Sequence, residues 1–307
     1  MTQVKRIKRP VHGVLLLNKP AGITSNTALQ IAKRLYQAEK AGHTGTLDPF
    51  ADGLLPLCFG EATKFSQYQL EADKCYRAVL QLGVTTTTGD PEGEVLDTRP
   101  VDIDADRVAA ATAQFVGSIM QTPPMYSALK YQGKPLYEYA RAGITIERPA
   151  RPIHIRDITI LALDGEKLTI DVTCSAGTYI RTLAEDIGRV LGCGAHLTKL
   201  TRLASGSFQL SEAVTLEQLE HDDLAQRDER LSAVDGLIGY LPQLQLDAGT
   251  AKLLLQGQQP KYGGHVTESG LMRAYRDTVF LGLVNLQFDG VIVPQRLMRI
   301  NPQSEGI

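Results

Sequence analysis

The chain has 307 residues, of which 43% are hydrophobic and 21% are charged, and its formal net charge is −2. Such a composition is typical of a water-soluble globular protein, and the length suffices for one large domain plus a small one. The four cysteines, at positions 58, 75, 174 and 193, form no CxxC pair, which argues against a zinc site and a disulfide framework. No apolar run approaches a membrane span or a signal-peptide core, so we expect a cytoplasmic protein without membrane association.

The first third of the chain contains the pattern of two strands and a helix. Residues 13–17 form an apolar run typical of a short buried strand. Ser25 is a suitable N-cap for a helix over residues 26–38, whose apolar positions fall on one face. Residues 76–82 alternate as a strand does, and residues 85–94 are predicted to form a polar loop.

A segment between these elements, residues 41–56, has the composition of an ordered loop. Three glycines and two prolines disfavour both helix and strand there, although the flanking sequence is apolar. The segment carries one histidine, His43, and the carboxylate of Asp48, and ordered loops of this kind often hold functional residues. In the alternative interpretation, Asp48 only turns the chain before Pro49.

Residues 106–220 contain the patterns of three helices and one well-defined strand. Residues 106–115 are predicted to be helical. Residues 168–174 alternate, with the even positions apolar and facing the core. A helix should begin near Thr178 with one apolar face and stop at Gly192, and a further short helix is predicted over residues 216–220.

The texture of the sequence changes near residue 246 to short strands and turns. Residues 279–286 and 291–298 are predicted strands joined by a turn at Asp289-Gly290. We therefore expect a large domain over residues 1–245 and a small β domain over residues 246–307.

Charge is unevenly distributed along the chain. Basic residues gather at the N-terminus, at Lys5, Arg6, Lys8 and Arg9, and again over residues 130–156. The second basic segment is interleaved with tyrosines, and cations together with aromatic faces are the ingredients of single-strand or loop RNA binding. The alternative is a solvated surface hairpin whose tyrosines pack inward.

Several short motifs, in a fixed order over residues 13–203, resemble the bacterial tRNA pseudouridine-55 synthases, the TruB family. A single motif such as Lys-Pro-x-Gly is weak, but the ordered set is specific. The matching segments are GVLLLNKP (13–20), GHTGTLDP (42–49), GEATK (60–64), YR (76–77), YSALK (126–130), GTYIR (177–181) and GCGAHL (192–197).

The resemblance implies an α+β fold, with a mixed, largely antiparallel sheet flanked by helices, and an isomerase that converts one uridine of the tRNA T arm to pseudouridine. It makes Asp48 the nucleophile, which attacks either the sugar or the base. A carboxylate can trap or stabilise a sugar centre that loses its base. The resemblance makes Arg181 its partner, which can hold a carboxylate by two bonds. Without that pairing, Arg181 would be an exposed residue in the first turn of a helix.

The resemblance also assigns side chains around the target nucleotide. Tyr76 lies against the base, where we expect stacking rather than proton transfer because the ordinary phenol pKa is near 10. His43 fills the space left when the nucleotide leaves its stack, an opening that costs about a few kcal/mol. Tyr179 and Leu200 are pocket walls, and Lys19 shapes a turn near the site. Each of the five could instead be an ordinary structural residue.

An RNA-gripping insertion is implied at about residues 124–152, with Lys130 and Arg141 as tRNA contacts. The C-terminal domain resembles a small PUA-type β domain through weak matches. The isomerisation is redox-neutral and loses no atoms, so we expect no cofactor and no metal. We also expect a protein that needs no guide RNA, because lysine-rich tails and a larger RNA-binding C-terminus do not occur in the sequence. We expect a monomer, since no heptad stripe indicates an obligate oligomer.

The loop departs from the common family pattern at Thr46, Phe50 and Asp52. We expect Asp52 to face solvent or cap a turn, since two carboxylates buried together would force one to hold a proton. Three rival functions remain: a guide-RNA-dependent relative, a non-catalytic RNA-folding factor, and a glycoside hydrolase in which Asp48 works with a second carboxylate.

Overall fold

The computed structural model describes residues 8–299. The basic residues Lys5 and Arg6 and the final stretch 300–307 of the predicted C-terminal domain lie outside the described residues. In the described part of the chain, no helix has the length and apolar character needed to span a membrane.

The chain alternates strands with short helices. The strands are β1 (Gly13–Lys19), β2 (Ala41–His43), β3 (Asp52–Phe59), β4 (Lys74–Leu82), β5 (Val84–Thr86), β6 (Val95–Thr98), β7 (Gly117–Gln121), β8 (Lys130–Tyr131), β9 (Lys134–Pro135), β10 (Arg151–Asp164), β11 (Lys167–Cys174), β12 (Ala195–Ser205), β13 (Phe208–Gln209), β14 (Val214–Thr215), β15 (Gln243–Gln245), β16 (Gly270–Arg276), β17 (Val279–Leu286) and β18 (Ile292–Leu297). The helices are α1 (Ser25–Leu35), α2 (Ser66–Leu70), α3 (Ala105–Ala113), α4 (Leu136–Arg141), α5 (Ile180–Leu191), α6 (Leu216–His221), α7 (Leu224–Glu229) and α8 (Ala248–Leu255).

One large sheet of ten strands organises the first 215 residues. Its order is β14-β1-β3-β12-β4-β11-β10-β7, with β2 beside β3 and β13 beside β12. The pairs β1–β14 and β3–β12 are parallel, and the other pairs are antiparallel. The predicted mixed, largely antiparallel sheet with flanking helices is therefore confirmed.

The sheet is buried on both faces around β1, which explains the continuous apolar run in its sequence. Leu15 and Leu17 belong to a core that includes residues of helices α1 and α5. Val14 and Leu16 alternate with them and join a second core on the opposite face, which also contains Leu283 of β17. The second core thus connects the large sheet to the C-terminal part of the chain.

The strongest local patterns gave correct elements. In β11 the even positions from 168 to 174 are buried, and the predicted strand 76–82 lies within β4. Helix α5 buries its predicted apolar face, and Gly192 ends it in the left-handed conformation at φ 87°. Because α5 packs against the sheet with this face, the residues of its first turn are held in a fixed position.

Three local predictions were wrong. Thr24, not Ser25, caps helix α1, because the Thr24 hydroxyl accepts from the Thr27 amide at 3.0 Å, and the helix ends at Leu35. The segment 41–56 is a loop only in its middle, since β2 and β3 pair across it. The expected polar loop 85–94 begins inside strand β5. In the last two cases strand pairing overrode the local signal.

The C-terminal part forms its own four-stranded sheet of order β15-β16-β17-β18. The two predicted strands and the turn between them are present as β17 and β18. Helix α8 was not anticipated there, and β15 begins three residues before the predicted boundary at 246. The domain division at residue 245 remains a prediction.

Candidate active site

The loop that carries Asp48, residues 44–51, connects β2 to β3, and we call it the aspartate loop. Hydrogen bonds to buried residues hold it in place. The Ser25 hydroxyl accepts from the Leu47 amide at 2.8 Å and donates to the Leu47 carbonyl at 3.0 Å. Leu47 is buried in the main core. The Ala51 amide donates to the Asp48 carbonyl at 3.2 Å. Ser25, wrongly predicted as a helix cap, is therefore an anchor of the aspartate loop.

Lys19 binds the C-terminal part of the aspartate loop, near Pro49. Its side chain is fully buried, and Nζ donates to the carbonyls of Ile23 at 2.7 Å, Pro20 at 2.9 Å and Pro49 at 3.4 Å. Burial lowers the pKa of Lys19 to about 8, while the charges of Asp52 and Asp48 act in the opposite direction. Lys19 thus combines the predicted turn-shaping position with a positive charge near Asp48.

Arg181 meets Asp48 at two points. Its Nε lies 3.0 Å from Oδ2 of Asp48, and its Nη2 lies 3.4 Å from Oδ1. The arginine occupies the first turn of α5 and is only 4% exposed, whereas the Asp48 side chain is 33% exposed. The alternative of an exposed first-turn arginine does not describe this structure. The buried guanidinium of Arg181 thus orients the Asp48 carboxylate by two contacts, while part of that carboxylate stays accessible to solvent.

Asp90, which the sequence analysis missed, holds the far side of the same guanidinium. Its Oδ2 lies 3.3 Å from Nη1 of Arg181, and the Thr88 carbonyl accepts from Nη1 at 3.1 Å. The Tyr126 carbonyl accepts from Nη2 at 2.6 Å. Asp90 is buried and lies behind Arg181, so the partner of Asp48 is a cation rather than a second acid, as the glycoside hydrolase alternative would require.

The ionisation of Asp48 is set by opposing effects. Desolvation by burial is the largest and raises its pKa above the ordinary value of 3.8. The Arg181 charge and hydrogen bond lower it, the Asp90 charge raises it, and the Lys19 charge lowers it. The net direction is upward, so Asp48 is more basic than a solvated carboxylate. A basic, oriented carboxylate can attack an electrophilic carbon or stabilise a cationic sugar centre.

Tyr76 and Leu200 lie on neighbouring strands of the large sheet. Leu200 of β12 pairs with Ala78 of β4 and is buried, while Tyr76 pairs with Arg202 and is half-buried. Burial raises the pKa of Tyr76 above its ordinary value of 10. A phenol with a raised pKa is an even poorer base at neutral pH, so the expected stacking role suits its surroundings better than proton transfer.

His43 and Tyr179 are both half-buried at the ends of their elements. His43 closes β2 opposite Leu57, and its Nδ1 is buried without a hydrogen-bond partner among residues 8–299. Burial, followed by the Arg202 charge, lowers its pKa. Tyr179 is the N-cap residue of α5, and the Gln121 side chain holds its backbone. The Gln121 amide group accepts from the Tyr179 N–H at 2.8 Å and donates to the Tyr179 carbonyl at 3.1 Å.

Lys130 and Arg141 lie outside this cluster, on the surface of the predicted insertion. The insertion folds as the hairpin β8–β9 followed by α4, and both side chains are exposed. Arg141 stacks over the Tyr137 ring at 5.5 Å, and Lys134 over the Tyr139 ring at 4.9 Å. The insertion reaches the site through the Tyr126 carbonyl, which binds Arg181. Tyr131 and Tyr137 are exposed, while Tyr126 and Tyr139 are half-buried, so the tyrosines do not all pack inward as the alternative required.

Asp52 corrects one expectation. It was predicted to face solvent or cap a turn, but it begins β3 beside Thr201 and is half-buried. Its Oδ1 is buried and has no hydrogen-bond partner within the described chain. The strand pairing places it there, and its charge is the largest opposing influence on the lowered pKa of Lys19.

The architecture matches that of two solved assemblies. A structure of an H/ACA RNP bound to a substrate RNA containing 2′-deoxyuridine superposes with a TM-score of 0.71 at 22% identity, over 94% of this chain and 86% of that chain. A Cbf5-Nop10-Gar1 complex gives 0.70 at 24% identity, over 93% and 84%. At this level of identity the likeness shows the fold alone.

Sequence comparison gives the family. Three family models match: the TruB family pseudouridylate synthase N-terminal domain over residues 33–180, the tRNA pseudouridylate synthase B C-terminal domain over 181–243, and the pseudouridine synthase II TruB C-terminal domain over 242–298. The tRNA pseudouridine synthase B of Thiobacillus denitrificans is 56% identical over 96% of this chain and 98% of its own length. That of Methylobacillus flagellatus is 54% identical over 97% and 98%. The chain belongs to the TruB family of pseudouridylate synthases.

Proposed function

We propose that this chain converts uridine-55 in the T arm of tRNAs to pseudouridine, with Asp48 as the nucleophile. The observation that carries the proposal is the two-point pair of Asp48 with the buried Arg181, at 3.0 and 3.4 Å, in a loop that leaves Asp48 partly open. The relatives that match almost the whole chain carry the name tRNA pseudouridine synthase B.

The chemistry asks three things of Asp48. It must be ionised, it must be aimed, and it must be basic enough to attack or to stabilise the reacting carbon while uracil detaches, turns and rejoins the ribose through C5. Arg181 provides ionisation and aim, and burial provides basicity by raising the pKa of Asp48. Because the product is an isomer of the substrate, the reaction needs no redox partner and releases no fragment.

The surrounding side chains suit an extruded nucleotide. The Tyr76 ring offers a stacking face, and Leu200 and Tyr179 are positioned as pocket walls. His43 has a lowered pKa, and its Nδ1 has no hydrogen-bond partner among the described residues, so it is a neutral ring that can occupy the place left in the RNA. Contacts of this kind offset the unstacking cost of about a few kcal/mol.

Lys130 and Arg141 are proposed to grip the phosphates of the T arm. They lie on an insertion with exposed cation–aromatic pairs, and its base touches Arg181 through the Tyr126 carbonyl. RNA docking on this segment is therefore connected to the catalytic pair. We further infer that the protein works without guide RNA, since relatives with the name of the tRNA enzyme align along nearly the whole chain. The cytoplasmic location and the monomeric state stay predictions from the sequence.

The test is product analysis on a T-arm hairpin incubated with purified protein and without added metal. The wild type should form pseudouridine at the position of uridine-55, and Asp48→Asn should form none while it binds the hairpin with similar affinity. Binding without product from the wild type would favour the RNA-folding or guide-dependent function instead.

A further inference from the structure

Arg202 is a buried cation with no acidic partner in the part of the chain that the structure describes. Its side chain is 1% exposed on β12, and none of the ion pairs among residues 8–299 includes it. Burying an unpaired charge is strongly unfavourable unless hydrogen bonds compensate for the lost water. The hydrogen bonds of Arg202 explain why a cation is buried at this position.

The guanidinium of Arg202 bridges the aspartate loop and the strand that follows it. Its Nε donates to the Leu54 carbonyl of β3 at 2.7 Å, and its Nη2 donates to the Gly45 carbonyl at 3.3 Å. Gly45 has a φ of +87°, a conformation that glycine adopts readily, and it lies three residues before Asp48. The two bonds therefore set where the aspartate loop leaves the sheet.

The strand register places Arg202 beside the stacking residue as well. Arg202 pairs with Gly53 of β3 on one side and with Tyr76 of β4 on the other. Directly opposite residues project from the same face of a sheet, so the guanidinium and the phenol are neighbours. A Cβ at Gly53 would lie 2.5 Å from the Arg202 carbonyl, so only glycine fits between the strands.

From these contacts we propose that Arg202 is a positioning residue for the uridine isomerisation. It holds the aspartate loop and the Tyr76 ring in a fixed position relative to each other. It differs from Arg181, which contacts the Asp48 carboxylate itself, because Arg202 acts on the backbone at Gly45 and on a neighbouring ring. The inference rests on the proposed function and names a further residue of the same site.

Arg202→Met tests this with Lys74→Met as the matched control. Lys74 is also a buried cation, 6% exposed, and its Nζ donates to the Leu70 carbonyl at 2.6 Å, in helix α2 rather than in the aspartate loop. Loss of the two Arg202 bonds should lower kcat about 10- to 100-fold with KM changed less than about 3-fold. Lys74→Met should lower the melting temperature and leave kcat within about 2-fold.

Arg202→Lys keeps the charge in case the methionine variant does not fold. It retains one of the two bonds, so its kcat should fall between those of the wild type and Arg202→Met. A folded Arg202→Lys or Arg202→Met protein with wild-type kcat would overturn the proposal, as would an equal loss of kcat in Lys74→Met.

Hydrogen exchange separates this inference from the proposed function. If the wild type makes no pseudouridine, the proposed function fails, but the bonds of Arg202 to the aspartate loop do not depend on turnover. Amides 44–48 should exchange at least about 10-fold faster in Arg202→Met and unchanged in Lys74→Met. Unchanged exchange at these amides would refute the positioning role.

Discussion

Arg181→Lys is the most informative single change, because it keeps the positive charge and removes the two-point contact of the guanidinium with Asp48. Arg181 makes two contacts to Asp48, and its other donors bind Asp90, Thr88 and Tyr126. A lysine ammonium can face one carboxylate oxygen but cannot hold both in a fixed plane.

The structure gives the expected size of the effect. A charge-assisted hydrogen bond contributes about 1.5–3 kcal/mol. Losing one such bond and part of the aim of Asp48 should cost about 2–4 kcal/mol in the transition state, so kcat should fall about 30- to 1000-fold. Affinity for tRNA should change less than about 3-fold, because Arg181 is buried and its donors already bind protein acceptors.

The assay compares single-turnover rates with hairpin binding. Arg77→Lys is the matched control, since Arg77 also makes a two-point pair, with Asp171 at 2.8 Å for both bonds. Its side chain projects from the face of β4 opposite to that of Tyr76. Arg77→Lys should leave the rate within about 2-fold. Equal losses of rate and affinity in Arg181→Lys would mean that Arg181 contacts RNA phosphate, and the pairing argument would fail.

Three further changes test the electrostatics. Asp90→Asn should lower kcat about 10-fold and move the acid limb of the pH–rate profile to lower pH, because the Asp90 charge raises the pKa of Asp48; an unmoved limb would contradict this. Lys130→Gln with Arg141→Gln should weaken hairpin binding and reduce the slope of log affinity against log salt by about 1 to 2; an unchanged slope would place both off the RNA. Lys19 has a folded pKa of about 8 against an ordinary 10.5, so wild-type stability should rise by up to about 3 kcal/mol between pH 8 and 10.5 as the buried amine loses its proton. Lys19→Met should flatten that rise in urea unfolding, and an identical pH dependence in both proteins would refute it.

The sequence predicted best where the information is local. The alternation of β11 and the apolar face of α5 each lie within one short segment, and both elements form as expected. The order of short motifs predicted the family and with it the pair of Asp48 and Arg181. Arg181 lies in the first turn of a packed helix, as its position after Gly177 indicated, and it is buried there.

The sequence did not predict contacts that join distant segments. Asp90 lies in a turn of Asp-Pro type and reaches Arg181 across 91 positions. Asp52 is drawn into the interior by strand pairing with Thr201, although its local sequence suggests a solvated turn. Arg202 sits in an alternating strand without any motif that marks it. A basic residue at a buried position of a predicted strand is the one signal that could have singled it out.

The arrangement around Asp48 explains why its arginine has a second acid. If Arg181 faced Asp48 alone, the full charge of the guanidinium would lower the pKa of Asp48 and make the carboxylate a weaker base. Asp90 binds the same guanidinium from behind, and its charge raises the pKa of Asp48 while the two-point contact stays in place. Arg181 can therefore keep its aim on Asp48 with less loss of basicity. Asp90→Asn separates the two effects, because it should leave the geometry of the two-point contact intact and change only the basicity of Asp48.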